Sequence, residues 1–176
     1  MFRIYCIILL VVFASSTSAQ RYESQTLFSR GDWAVELTHD TSDGTLWCNA
    51  TTSNQRAQSF SLTAYQSNNL TMFVFDNSWN ISDRPIRFLI DVDYSRWTMD
   101  GQGSGIGISL TMSDPEAAGR FLVELMEGRA IAVMNDDTRR LATFSLRGSS
   151  AAISELFDCW DSISDTDPFR TSTDPF

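Results

Sequence analysis

Residues 141–160, LATFSLRGSSAAISELFDCW, change period halfway along. Ala142, Phe144 and Leu146 alternate with Thr143 and Ser145 as in a half-buried strand, whereas Ile153, Leu156, Phe157 and Trp160 recur at helical spacing. Arg147 and Gly148 separate the two patterns, and Ser149 or Ser150 offers a hydroxyl that accepts a bond from an unpaired first-turn amide. The stretch predicts a closing strand that delivers a helix, over 150–162, back onto a sheet. Cys159, near the end of that helix, is placed to tie it to an earlier strand.

Immediately upstream, Ser113-Asp114-Pro115-Glu116 reads as a capping box with Ser113 as the cap. Phe121, Leu122, Leu125 and Met126 then give a helix over 113–127 its apolar face, and Ile131 and Val133 mark a short strand. Further back the period is mostly two. Trp33, Val35 and Leu37 alternate with polar neighbours; 39–44 is a turn; Leu46-Trp47-Cys48 opens the next strand. Phe60, Leu62 and Ala64, then residues 70–75, then Phe88 and Ile90 after Pro85, then Trp97 and Met99, continue the series. Many short alternating strands with two late helices predict a mainly β domain, an antiparallel sandwich or open barrel with the helices packed on its faces or ends. The nearest alternative is an α+β sheet covered on one side by both helices.

Four segments follow from composition. Residues 1–19 read as a signal peptide, with Arg3 as the basic flank, an apolar run over 4–13, and Thr17-Ser18-Ala19 before the cleavage point. The run is shorter than the roughly 20 residues that cross a bilayer, so no transmembrane anchor is expected in the mature chain. Residues 20–30 read as an N-terminal arm without firm local structure, 31–163 as a single β-rich domain, and 164–176 as a flexible tail. That tail carries Asp-Pro-Phe twice, at 167–169 and 174–176.

Once the leader is removed, Cys48 and Cys159 are the two cysteines left, and in an oxidising compartment they form one disulfide. The net charge of −9 excludes a nucleic-acid backbone as partner and favours basic protein regions. His39 is the sole histidine and is read as an ordinary turn residue; it leaves no His/Cys metal cluster to build, and no cofactor is expected. Gly101, Gly103, Gly105 and Gly107 lack the spacing of a dinucleotide loop and precede a strand, so they mark a bent or closely packed β segment. Asn49, Asn69 and Asn80 begin Asn-x-Ser/Thr triplets, glycan acceptors in a eukaryotic-type secretory route and incidental polar residues in a bacterial periplasm. The residues offered for a binding surface are Trp79, Asp91, Asp93, Trp97 and Asp100.

Gly31-Asp32-Trp33, the central apolar strands, the helix over 113–128 and Phe144-Ser145-Leu146-Arg147-Gly148 resemble the invasion-associated locus B family of exported bacterial proteins. The resemblance covers residues 31–153 and implies a secreted or periplasmic β-rich domain, tied in some bacteria to host-cell invasion or envelope function. It implies no catalytic residues. The expectation is therefore a non-enzymatic exported binding or envelope-interaction protein, found in the periplasm or outside the cell and contacting basic protein partners. The alternative is a small secreted glycan hydrolase using Asp91, Asp93 and Asp100 beside Trp97, which requires one carboxyl with a raised pKa.

Overall fold

The computed structural model describes residues 21–164. The expected signal peptide and all of the expected tail beyond Ser164 lie outside the described residues. In chain order the elements are β1 (Tyr22–Arg30), β2 (Trp33–Asp40), β3 (Leu46–Ser53), β4 (Gln58–Tyr65), β5 (Leu70–Asp76), β6 (Ile81–Val92), β7 (Ser95–Gly105), β8 (Gly107–Thr111), α1 (Pro115–Glu127), β9 (Ala130–Asn135), β10 (Arg140–Ser145) and α2 (Ser149–Ser164). All ten strands form one antiparallel sheet ordered β1-β2-β3-β4-β5-β8-β7-β6-β9-β10. The protein is mainly β with two helices, as the periodicity predicts, and the sheet is open: β1 and β10 are its two ends and share no ladder.

The strand reversals follow local chemistry. β6 and β7 are joined at Asp93-Tyr94, and β7 and β8 at Gly105-Ile106, with Asp93 at φ +49° and Gly105 at φ +54°. The other glycines of the repeat are packed, as expected. A Cβ on Gly101 would stand 2.5 Å from the Ser109 carbonyl oxygen, and one on Gly107 would stand 2.7 Å from the Phe75 ring.

Three local expectations change. Residues 22–30 form an edge strand, not a loose arm, and a bulge between Thr26 and Phe28 explains why the alternation was hidden. An edge strand needs little apolar surface, and the extra residue lets both Leu27 and Phe28 pack against the core. The cap of α1 is Asp114, not Ser113: Pro115 takes the first helical position, and the Asp114 carboxylate accepts the amides of Glu116 at 3.0 Å and Ala117 at 3.2 Å. Ser149 begins α2 but does not cap it. Its buried hydroxyl lies 2.6 Å from the Leu125 carbonyl and 2.8 Å from that of Leu146, so it ties the two helices to the closing strand.

Inward-facing side chains of the curled sheet and the apolar faces of both helices make one core. Trp33 packs edge-on to Phe60, and Phe60 meets Phe144, so β2, β4 and β10 join through three rings. α2 is fastened to β3 by the Cys48–Cys159 disulfide, with Cα atoms 6.1 Å apart, and to the end of β4 by the Trp160 indole, which donates to the Tyr65 carbonyl at 3.0 Å.

The two ends of the sheet meet at a clasp. The Asp32 amide donates to the Arg147 carbonyl at 3.0 Å, and the Trp33 indole donates to the Ser145 carbonyl at 3.1 Å. Gly31 and Gly148 permit this approach. Gly31 has φ +67°, and a Cβ there would stand 2.3 Å from the Arg147 oxygen; Gly148 has φ +101°, and its Cβ would stand 2.6 Å from the Arg30 oxygen. Gly44 shares the positive φ, at +79°, but has open space around it. Thermal unfolding should therefore separate two alanine substitutions. Gly44→Ala should cost about 1 kcal/mol for the left-handed backbone alone, and Gly31→Ala about 2 kcal/mol or more, because the carbonyl must also move. Equal losses would contradict the clasp.

Candidate functional site

The five residues offered by the sequence fall in three places. On the β6–β7 hairpin the register sets Asp91 opposite Arg96 and Arg87 opposite Asp100. Arg96 grips Asp91 as a fork, with Nε 2.7 Å and Nη2 2.8 Å from its two oxygens, and Arg87 Nε lies 2.8 Å from Asp100. These charge-assisted bonds hold both carboxyls below the usual carboxylate range. Asp93 sits in the hairpin turn, where its carboxylate accepts the amides of Arg129 and Ala130 at 3.1 Å. Asp91 and Asp93 border a hollow with Tyr94 and Arg129.

Trp97 faces inward, with its ring edge-on to Phe121 at 5.4 Å and its indole donating to Glu124 at 2.7 Å; it and Asp100 border a groove beside α1. The acid that glycoside hydrolysis requires is thus missing from this trio: Asp91 and Asp100 are shifted the wrong way and Asp93 is occupied by backbone amides. His39 lies within β2 rather than in a turn, because that strand runs on to Asp40. Among the described residues no three His, Cys, Asp or Glu side chains come together as a metal-binding group. Carboxyl titration by NMR should place both Asp91 and Asp100 below an unstructured aspartate, and Arg96→Gln should bring Asp91 back up. A midpoint for either above that of a free aspartate would restore the acid–base reading.

The third place holds Trp79, which the sequence offers for a binding surface, in a cleft that the sequence pattern does not show. β6 pairs with β7 from Ile81 to Val92 but with β9 only from Phe88 to Val92, so residues 81–87 have a neighbour on one side alone. Beside this free edge the sheet parts into a cleft of about 610 Å³. Trp79, Ile86, Phe88 and Leu141 supply apolar walls, and Arg84, Arg87 and Arg139 stand on the rim with Asp136; neither helix contributes a lining residue.

Asp76 positions the cleft from beneath. Its carboxylate accepts the Ser78 hydroxyl at 2.6 Å, the Ser78 amide at 2.8 Å and the Gln58 side-chain amide at 2.5 Å. These bonds, Ser78 foremost, lower its pKa. The Trp79 amide donates to the Asp76 carbonyl at 3.0 Å, so the same residue sets the turn that carries the indole. Gln58 also donates to the Leu141 carbonyl at 3.1 Å, bridging β4 to β10 across the gap.

Sequence reading missed the cleft because Pro85 looked like the boundary before a strand, and Ser82, Asp83 and Arg84 carry no apolar alternation. Pro85 was also the one usable signal. The Asp93 amide donates to Ala130 on β9, so the odd-numbered residues of β6 turn their backbone polar groups to that side, and Pro85 occupies the open edge. A proline there withholds an amide that another strand would use.

No family model and no curated protein matches the chain. A solved structure does: the crystal structure of invasion associated protein B from Bartonella henselae, with a TM-score of 0.51 over 78% of this chain and 99% of that one. The chain shares that protein's fold. At 12% identity the likeness shows the fold alone. It bears out the resemblance carried by the Gly31-Asp32-Trp33 and Ser145-Leu146-Arg147-Gly148 motifs, which the structure brings together at the clasp. Among the described residues no helix is long and apolar enough to cross a membrane.

Proposed function

We propose that this chain is an exported, non-enzymatic protein that binds basic regions of envelope or extracellular proteins. The observation that carries the reading is the way its charges are divided. Carboxylates suited to chemistry are already engaged: Asp32, Asp40, Asp91 and Asp100 by arginines, Asp93 by backbone amides. On the two helices, in contrast, Glu127, Glu155, Asp158 and Asp161 have no arginine within ion-pair distance among the described residues, and Arg120, the one basic side chain on either helix, is paired with Glu116. Such a surface steers a basic partner during encounter and loses that advantage as salt shortens the Debye length below about 10 Å. Carboxylates spread over a helical surface fit recognition better than turnover.

The test uses mature oxidised protein as bait against envelope and extracellular fractions across a salt series. A reproducible protein partner should be retained at low salt, released as salt rises, and weakened by Asp158→Lys with Asp161→Lys. Failure to recover a partner at any salt, or turnover of a glycan panel by the purified protein, would contradict the proposal.

A further inference from the structure

The outer face of the sheet, over β1 to β5, carries a basin of about 420 Å³ that neither helix borders. Odd-numbered residues of β3, β4 and β5 face it, while Cys48, Ala50, Phe60, Leu62, Met72 and Val74 fill the core on the other side. Its apolar lining is entirely aromatic: Tyr22, Trp47, Tyr65, Phe73 and Phe75 border it, and no aliphatic or basic side chain does. Antiparallel register sets Trp47 opposite Tyr65, with rings 6.4 Å apart, and Tyr22 meets Trp47 edge-on at 5.9 Å. Phe73 and Phe75 stack at 5.6 Å on the next strand. Phe73 lies opposite Ser61, four residues from Tyr65 along β4, so the two aromatic groups stand about 13 Å apart along the strands. Both β3 and β4 are anchored beside their rings. Cys48, next to Trp47, is disulfide-bonded to α2, and the Tyr65 carbonyl accepts the Trp160 indole at 3.0 Å.

The floor between the two aromatic groups is polar and uncharged. Thr63 donates to the Asn49 side-chain oxygen at 2.8 Å, and the Asn49 amide donates to the Thr51 hydroxyl at 2.6 Å. Ser61 is only 5% exposed, borders the basin, and has no side-chain hydrogen bond among the described residues. A bond left unmade at so buried a hydroxyl is costly, and a ligand hydroxyl entering the basin would make it. The two carboxylates at the far end are already engaged, Asp40 by Arg21 and Ser42 and Asp43 by the Thr45 amide at 2.9 Å. The basin therefore offers no cation to an anionic ligand and no unengaged carboxylate to a basic one. Aromatic rings around uncharged hydrogen-bonding groups, with no aliphatic wall, match a sugar rather than a lipid or an apolar peptide. A pyranose with equatorial hydroxyls presents C–H bonds on its faces, which an aromatic ring covers, and hydroxyls around its edge. Two aromatic groups so spaced require more than one such ring. We propose that this outer face binds a short run of neutral, equatorially linked pyranoses, with the aromatic rings covering sugar faces and Asn49, Ser61 and Thr63 meeting sugar hydroxyls. The site binds without turnover. It lies apart from the acidic helices and stands or falls separately from the binding of basic proteins.

Titration calorimetry of the oxidised mature chain with cellotetraose, xylotetraose and chitotetraose tests the assignment. At least one should bind with a Kd of about 1 mM or tighter, and equally well at low and high salt, because the contacts carry no charge. Trp47→Ala should weaken that binding by about tenfold or more, through loss of a ring that covers a sugar face. Ser61→Ala, which removes one hydroxyl and leaves the packing in place, should weaken it by about fivefold with no fall in the thermal unfolding midpoint. Tyr94→Ala removes a fully exposed ring outside the basin and should leave binding unchanged. No binding of any of the three oligosaccharides, binding that salt abolishes, or tighter binding of the anionic tetragalacturonate would overturn the proposal. So would binding that survives both Ser61→Ala and Trp47→Ala or is lost with Tyr94→Ala.

Discussion

The amide of Asp32, donated to the carbonyl of Arg147 far along the chain, holds together two ends of a sheet that no ladder closes. Two glycines with left-handed backbone stand face to face so that the strands can approach, and the Trp33 indole adds a second bond to the Ser145 carbonyl. The Asp32–Arg147 ion pair beside them, at 2.7 Å, contributes least. With side chains 30% and 75% exposed it is screened by solvent, whereas Trp33 is 2% exposed and its burial alone contributes about 2–3 kcal/mol. The clasp is mainly backbone bonding and a buried ring. From it follow the direction in which Gly148 launches α2 and the seating of α2 on β3, where the disulfide locks it.

What the sequence made legible was what periodicity carries. The closing strand and helix, the mainly β class and the packed glycine repeat rest on alternation or spacing that the core enforces, and the Cys48–Cys159 pairing on there being two cysteines beyond the leader. β1 was lost because an edge strand has one paired side, few apolar residues and a bulge that breaks the count at Leu27. The Ser113 cap failed because a proline fixes the first helical residue more strongly than a matching hydroxyl fixes the cap. Topology was never in the local pattern: the return of β8 to β5, which places β7 and β6 beyond it, depends on contacts between strands far apart in sequence.

The site was less legible for an electrostatic reason. Asp91 and Asp100 attract attention as free carboxylates on a strand, yet antiparallel register places an arginine directly opposite each, and sequence spacing does not reveal that pairing before the hairpin turn is fixed at Asp93-Tyr94. The same hairpin that neutralises these acids extends β6 past β9 and exposes Arg84 beside an apolar wall. Net charge, read from composition, describes the helical surface well and the cleft badly.

Hydrogen exchange at the Asp32 amide tests the clasp most directly. Asp32 lies in a two-residue hairpin turn, where an amide would ordinarily exchange as fast as the exposed chain, and here it is bonded to the opposite end of the sheet. The account predicts that this amide and the Trp33 indole N–H exchange as slowly as the amides of Ala50 and Leu62 in the core, through global unfolding. Rapid exchange of the Asp32 amide, with the core still protected, would show that the two ends of the sheet are held by something other than the clasp.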